Sequence, residues 1–378
     1  MAYILSIIIP TKNRYEYLKE CLLTLSSLNQ DEVEIIVQDN SDDNQPFLDF
    51  LEKNSFRNNV KYFYLEKTLS QTENSDFALK NASGEYCCYI GDDDSVSSKI
   101  VDVVRYLKKN DYDACVCDVS TFHWSDVVFE KKPKPSFSCK TVRAKIKKIN
   151  IKRILKSFFS WGAQDIKYLP RVYHGIIAKR ILDQILKTTG SYFPGPSPDM
   201  ANAVASTLLV KDCVYINAPL IVSGYSYKSA GGLGLRGGHK GDLKNVKQLP
   251  SNAEKEWSPR IPKVWLGYTV WPESAEKALI RMGHQELCSR INFVAMEAKI
   301  YLKYSEYRKM VKKRIKTFSH FVVFVYEIFR FGLRWMRERL CLSLRKLFSK
   351  QFYTFNSLTL LDAVNKTNQI NNEILKEI

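Results

Sequence analysis

The stretch Glu85–Val96 reads EYCCYIGDDDSV, a short apolar run that ends in a glycine and three consecutive aspartates. Tyr86 to Ile90 have the length and composition of a buried strand, and Gly91 lets the chain bend at its end. Like charges side by side repel, so the question is what makes Asp92, Asp93 and Asp94 tolerable together, bulk water or a cation. Gly, Asp and Ser are turn residues, and a solvated turn is the plain alternative. A strand that carries its acids to its carboxyl end fits an open α/β sheet, whose ligands bind outside those ends.

Working outward, strand-like runs recur at ILSIII (4–9), VEIIVQ (33–38), VKYFYL (60–65) and DACVCDV (113–119). Helix-compatible segments lie between them at 15–28, 47–54, 74–81 and 98–109. This alternation predicts βαβ units, and so a mostly parallel, Rossmann-like sheet flanked by helices. Two more polar clusters fall on strand ends, PTKNR after the first run and DNSDDN after the second.

The chain has 378 residues, 45% of them hydrophobic, enough for a substantial core. Its opening, MAYILSIIIP, reads as a buried strand rather than a signal peptide. Nine scattered cysteines, an odd number, argue for a reducing compartment, and Cys115 and Cys117 read as small core residues. The net charge is +17, and two segments, 131–156 and 301–350, carry +11 each, which leaves the rest at −5. The basicity therefore belongs to two segments that could face a polyanion.

Residues 231–241 hold six of the 16 glycines, the signature of a mobile loop, and such loops often act as lids. Beyond Glu273 the pattern turns helical. The apolar, aromatic stretch Phe318–Met336 is interrupted at helical spacing by Glu327, Arg330 and Arg334 and flanked by basic residues, so it predicts an interfacial helix on an anionic membrane. A basic helical bundle packing on the domain or on a second subunit is the alternative. The expected organisation is a catalytic domain over 1–230, a glycine-rich loop over 231–245 and a helical C-terminal region over 246–378, with the membrane segment at about 300–350.

SIIIPTKNR, IIVQDNSDDN and ENSDFALKNASGEYCCYIGDDDSV together resemble the successive motifs of family 2 glycosyltransferases. The resemblance covers roughly residues 4–120 and continues more weakly to SPDMANA at 197–203. It implies a GT-A fold, a nucleotide-sugar donor, and a divalent cation, Mn²⁺ or Mg²⁺, held by a D-x-D motif. It also implies that Pro10, Thr11, Asn13 and Arg14 border the nucleotide, that Asp39 bonds the base or ribose, and that Asn40 shapes the turn. An Asx turn explains Asp39 and Asn40 equally well. Asn74 and Asp76 are expected near the uridine or donor sugar, Asp92 and Asp93 by the nucleotide sugar, and Asp94 on the metal. Asp199 matches the general base of an inverting transfer, although a helix start at Pro198–Asp199 offers a structural alternative.

In the loop, Arg236 is expected on the diphosphate and His239 as a further metal ligand, while His174 is expected to be structural or acceptor-facing. The implied partners are a nucleotide-sugar donor, a saccharide acceptor carried on a lipid, as in surface polysaccharide assembly, and an anionic membrane at its cytoplasmic face. Two rivals are a nucleotidyltransferase and a basic nucleic-acid-binding protein. The first would want a glycine-rich loop after the first strand, which PTKNR lacks, and neither basic segment carries a nucleic-acid-reading motif.

Overall fold

The computed structural model describes residues 3–54, 56, 58–67, 69–127, 136–140, 144–229, 232, 240–246, 249, 253–348, 352–356 and 359–375. The chain opens as β1 (Leu5–Thr11), α1 (Tyr15–Leu25), β2 (Val33–Asp39), α2 (Gln45–Asn54), β3 (Val60–Tyr64), α3 (Gln71–Lys80), β4 (Tyr86–Tyr89), β5 (Ser95–Val96), α4 (Lys99–Lys109) and β6 (Ala114–His123). It continues as β7 (Ser136–Lys140), β8 (Ile146–Lys148), α5 (Ile151–Ser160), β9 (Gly175–Ala178), α6 (Lys179–Thr189), α7 (Pro198–Leu209) and β10 (Cys213–Tyr225). The last part holds β11 (Lys240–Gly241), α8 (Ala253–Glu256), β12 (Trp265–Leu266), α9 (Gly267–Arg281), α10 (Phe293–Lys303), α11 (Arg308–Arg314), α12 (Phe318–Phe348), β13 (Phe352–Asn356) and α13 (Leu360–Ile374).

Strands β3, β2, β1 and β4 lie side by side and parallel, in the register Ile7 to Ile35 and Ile7 to Cys88. The continuous apolar runs of β1, β2 and β4 follow from burial on both faces, whereas β3 at the edge is half-buried. The sheet continues through antiparallel β9, β6, β7 and β13, while β10 runs parallel to β6. Helix α4 buries Ile100, Val103, Val104 and Leu107 at helical spacing, and α1 buries Leu18, Cys21, Leu22 and Leu25. The α/β class expected from the sequence is the one observed. Cys115 and Cys117 are buried on β6.

Helix α3 begins at Gln71 rather than Asn74, because Ser70 and Glu73 form a capping box, with the Glu73 carboxylate accepting from Ser70 N at 2.8 Å. The C-terminal region divides in two. Trp257, Trp265, Met296, Phe324 and Phe331 build a second core among α9 to α12. Strand β13, by contrast, pairs with β7, and α13 buries Leu360, Val364 and Ile370 in the core of the sheet. Asn371 Nδ2 donates to Ser97 Oγ at 2.9 Å and to Pro219 O at 2.8 Å, so the last helix clamps the turn that follows the aspartates. The expected boundary at 246 thus separates in sequence what β13 and α13 rejoin in space.

On α9, Glu273 is buried, accepts from Ser258 N at 3.0 Å, and has its pKa pushed up by that burial from 4.5 to about 7. The folded state therefore holds a proton there that the unfolded state gives up, and stability is lost as pH rises from about 4.5 to 7. Glu273→Gln is expected to flatten this slope and to raise stability at pH 8 by about 1–2 kcal/mol, read from denaturant unfolding at several pH values.

Candidate active site

The carboxyl ends of β1, β2 and β4 place Thr11, Asp39 and the turn Gly91–Asp94 along one edge of the sheet. All three aspartates of that turn are almost fully buried, at 2%, 4% and 1% exposure for Asp92, Asp93 and Asp94. Bulk water is therefore not what makes them tolerable.

Each acid has its own set of donors. Asp92 Oδ2 accepts from Thr11 Oγ1 at 2.7 Å, and Asp92 Oδ1 lies 3.1 Å from an Arg14 guanidinium nitrogen without hydrogen-bond alignment. Asp93 pairs with the other arm of Arg14 at 3.0 Å and accepts from Ser226 Oγ at 2.7 Å and Ser226 N at 3.2 Å. Asp94 Oδ1 accepts from Gly224 N at 2.7 Å, while its Oδ2 accepts from Gly91 N at 2.7 Å and meets His174 Nε2 at 2.7 Å. Burial pushes the Asp92 carboxyl up to about 7, with Arg14 pulling the other way and Asp93 adding to the rise. Asp93 is raised for the same leading reason.

Arg14 occupies the position before the first turn of α1 and makes no side-chain cap. A cation at a helix N-terminus is locally unfavourable, so its place is explained by the aspartates across the sheet edge, by Ser226 Oγ at 2.8 Å and by the Tyr17 ring at 5.2 Å. Gly224 is required by close approach, since a Cβ there would lie 1.8 Å from Asp93 O. Gly224→Ala is expected to push β10 off the aspartate turn and cost about 2–3 kcal/mol. Gly332→Ala, on an exposed turn of α12 where a Cβ meets nothing within 4 Å, is expected to gain about 0.5–1 kcal/mol. Thermal unfolding of the pair measures both.

Asp199 sits in the first turn of α7, behind the Ser197 N-cap. Its Oδ1 accepts from Met200 N at 2.8 Å and from Ser197 Oγ, whereas Oδ2 has no hydrogen-bond partner among the described residues. On the same helix, Asn202 Oδ1 takes Val172 N at 2.9 Å and so fixes the segment that carries Tyr173 and His174. His174 stands at φ 54°, a left-handed conformation uncommon among non-glycine residues as a whole, and its ring stacks on Tyr173 at 3.9 Å. Burial raises the pKa of the Tyr173 hydroxyl, and the charges of Asp94, Asp93 and Asp199 all add to the rise. Tyr173 thus lies within electrostatic reach of both the acidic turn and Asp199.

The other expected residues divide clearly. Asn13, at φ 56°, donates from its backbone to Ser41 Oγ at 2.7 Å and exchanges side-chain and backbone bonds with Asp42, while Pro10 closes β1 beside Gln38. Asp39 is buried and shared by Tyr15 and Tyr62 hydroxyls at 2.6 and 2.7 Å, and its Oδ1 closes an Asx turn on Ser41 N at 2.8 Å. Asn40 ties the 65–69 loop through Leu65 O at 2.8 Å and Leu69 N at 3.1 Å. Both are occupied by the scaffold.

Asn74 reaches Thr11 O at 3.3 Å and leaves its buried Oδ1 unpartnered, so it belongs to the acidic edge. Asp76 is engaged by the scaffold, accepting from Ser191 Oγ and Tyr192 N at 2.7 Å each, with its pKa raised chiefly by burial. Arg236 and His239 lie outside the described residues. Ser226 joins the site without having been expected in it, and His174, expected to be structural or acceptor-facing, meets Asp94. The left-handed backbone at His174 and the glycines flanking these segments, Gly175 and Gly224, are the features that could have drawn notice.

A mostly parallel sheet with a buried acidic turn at its carboxyl edge is the arrangement expected of a GT-A fold. The sequence match points the same way: residues 6–166, somewhat under half of the chain, fit the model of glycosyl transferase family 2. A curated relative, GalNAc(5)-diNAcBac-PP-undecaprenol beta-1,3-glucosyltransferase of Campylobacter jejuni, is 35% identical over 98 residues, a stretch that spans 25% of this chain and only 31% of the relative. Among solved structures, S. aureus TarS 1-349 in complex with UDP-GlcNAc aligns at TM-score 0.43 and 19% identity, over 60% of each chain. Mannosyltransferase PcManGT from Pyrobaculum calidifontis, in complex with GDP-Man and Mn2+, aligns at TM-score 0.41 and 13% identity, over 100% of this chain and 89% of that one.

Proposed function

We propose that the chain transfers a sugar from a nucleoside-diphosphate donor, most simply a UDP-sugar, to a hydroxyl of a saccharide acceptor, with inversion. The observation that carries this is the pairing of a buried acidic turn at the sheet edge with Asp199, whose Oδ2 is unspent and whose charge is felt at the same Tyr173. A base must sit across from the leaving group, hold its carboxylate in place and keep a lone pair for the acceptor hydroxyl. The held carboxylate and the spare lone pair support Asp199 in this role: Met200 N and Ser197 hold Oδ1, and in this reading Oδ2 receives the proton.

Pro10, Thr11, Asn13 and Arg14 border the donor in this reading, and Asn74 Oδ1 is available to a donor N–H or O–H. Arg14, already between two carboxylates, is placed to turn towards an incoming diphosphate. The donor set also fits a divalent cation, since hard carboxylate oxygens suit Mn²⁺ or Mg²⁺ and Asp92 Oδ1 is buried with no hydrogen bond. Asp94 and Asp92 would hold the ion, and Asp94 would have to give up His174 or an amide, because both of its oxygens are taken. Such an ion, when bound, offsets charge on the departing diphosphate. Among the described residues no three His, Cys, Asp or Glu side chains form a metal cage, and Mg²⁺ sites that use substrate oxygens need none.

The acceptor we favour is a saccharide on a lipid carrier in surface polysaccharide assembly, a reading supported by the undecaprenol-linked saccharide in the name of the Campylobacter relative. It places the chain on the cytoplasmic face of an anionic membrane. No described helix is long and apolar enough to cross a bilayer. A panel of nucleotide sugars, each with and without Mn²⁺, tests the activity by thermal stabilisation and by transfer to a saccharide. One nucleoside-diphosphate sugar should raise Tm through mass action. Stabilisation by nucleoside triphosphates alone would favour a nucleotidyltransferase.

A further inference from the structure

Helix α12 is built inside out. Its charged interruptions point into the protein: Glu327 is 1% exposed and accepts from Asn292 Nδ2 at 2.8 Å, and Arg330 donates to Ser160 Oγ at 2.9 Å while lying 4.0 Å from the Trp161 ring. Arg334 stacks on the same ring at 4.6 Å. Phe324 and Phe331 complete this inner face.

On the opposite side Phe318, Phe321, Val322, Val325, Phe329, Leu333, Met336 and Leu340 stand exposed, at 81% for Phe318, 62% for Phe329 and 61% for Leu340. At 100° per residue they fall on one stripe, which runs for about 33 Å along the helix. Soluble proteins seldom leave so long an apolar strip uncovered.

We propose that this outward stripe of α12 is the surface by which the chain lies on an anionic lipid bilayer. The proposal builds on the membrane reading above and names its contact face. Charge complementarity selects the occupant. Residues 308–317, just before the stripe, hold six Lys or Arg and no acid, and exposed Arg337 and Arg339 emerge on either side of it. A groove of about 500 Å³ lies at α11, the helix before α12, with Lys263, Lys309, Lys313 and Arg314 and one acid, Glu306, in its lining. An apolar stripe edged by cations suits acyl chains beneath anionic headgroups. A second copy of the same stripe would bring the same cations together.

Truncation before α12 would not test this, because it also removes the buried residues of α13. The full chain and its Phe321→Ser/Phe329→Ser/Leu333→Ser variant are instead floated with vesicles of phosphatidylcholine, with and without phosphatidylglycerol. The wild type should float with the anionic vesicles, and the variant's partitioning should fall by more than about tenfold. Unchanged thermal unfolding would show that the variant is folded. A Lys312→Glu/Lys313→Glu variant should lose the preference for phosphatidylglycerol. A wild type that stays with the soluble fraction, or a variant that floats equally well, overturns the proposal. So does a wild-type dimer, seen by sedimentation, that the triple variant splits. Nucleotide-sugar binding by the same variants reports on the transferase reading separately.

Discussion

Arg14→Ala is expected to destabilise the fold by about 3–5 kcal/mol at neutral pH, the cost of stripping the partner from buried charge. Arg14 bridges Asp92 and Asp93 at 3.1 and 3.0 Å, and neither carboxylate has more than 4% of its surface in water. Hydroxyls of Thr11 and Ser226 remain after the substitution, but among the described residues no cation paired with Asp92 or Asp93 does. Burial already lifts the Asp92 carboxyl to about 7 with Arg14 in place, so the folded state binds protons more tightly than the unfolded chain. Stability contributed by that proton is lost as pH rises through 7, and removing Arg14 lifts the carboxyl further. The deficit of the variant should therefore deepen between pH 6 and pH 8 and shrink in acid. Chemical unfolding across that range measures it, and a pH-independent loss below 1 kcal/mol would mean that the guanidinium is not the counter-charge.

The second large effect is on turnover. Asp199→Asn should lower transfer by about 10³-fold, within the range general-base catalysis supplies. Donor affinity should stay within about threefold, since a ground-state donor contact is not what is removed. Asparagine keeps an oxygen for Met200 N, so the start of α7 survives and the folding control is built in. What it cannot do is accept a proton. Near-normal turnover would remove Asp199 from the role of base and leave the turn at Ser197–Met200 as its function.

Much of the sheet was legible because its signals are local. The expected strand at 33–38 is Val33–Asp39, and the expected helix at 98–109 is Lys99–Lys109, since apolar runs and helical spacing need no distant partner. Apolar spacing alone predicts α3 three residues late, because its start is set by the S-x-x-E capping box of Ser70 and Glu73. Asp39 and Asn40 show the limit on the site. Their place at a strand end was readable, but the tyrosines and the loop that occupy them come from elsewhere in the chain.

The sequence by itself determined the alternation of strands and helices, the carboxyl edge on which Thr11 and Asp92–Asp94 fall, and the apolar, basic character of Phe318–Met336. Periodicity and composition within a short window carry that information. Only the tertiary structure decided what partners the aspartates: Arg14, Ser226 and His174 lie about 80 to 130 residues from them along the chain, and no local pattern ties a donor to its distant acid. It also decided which way α12 faces. Charges interrupting an apolar helix are expected in water, and here the Glu327 and Arg330 partners on Asn292 and Ser160 turn them inward and leave the apolar side outermost.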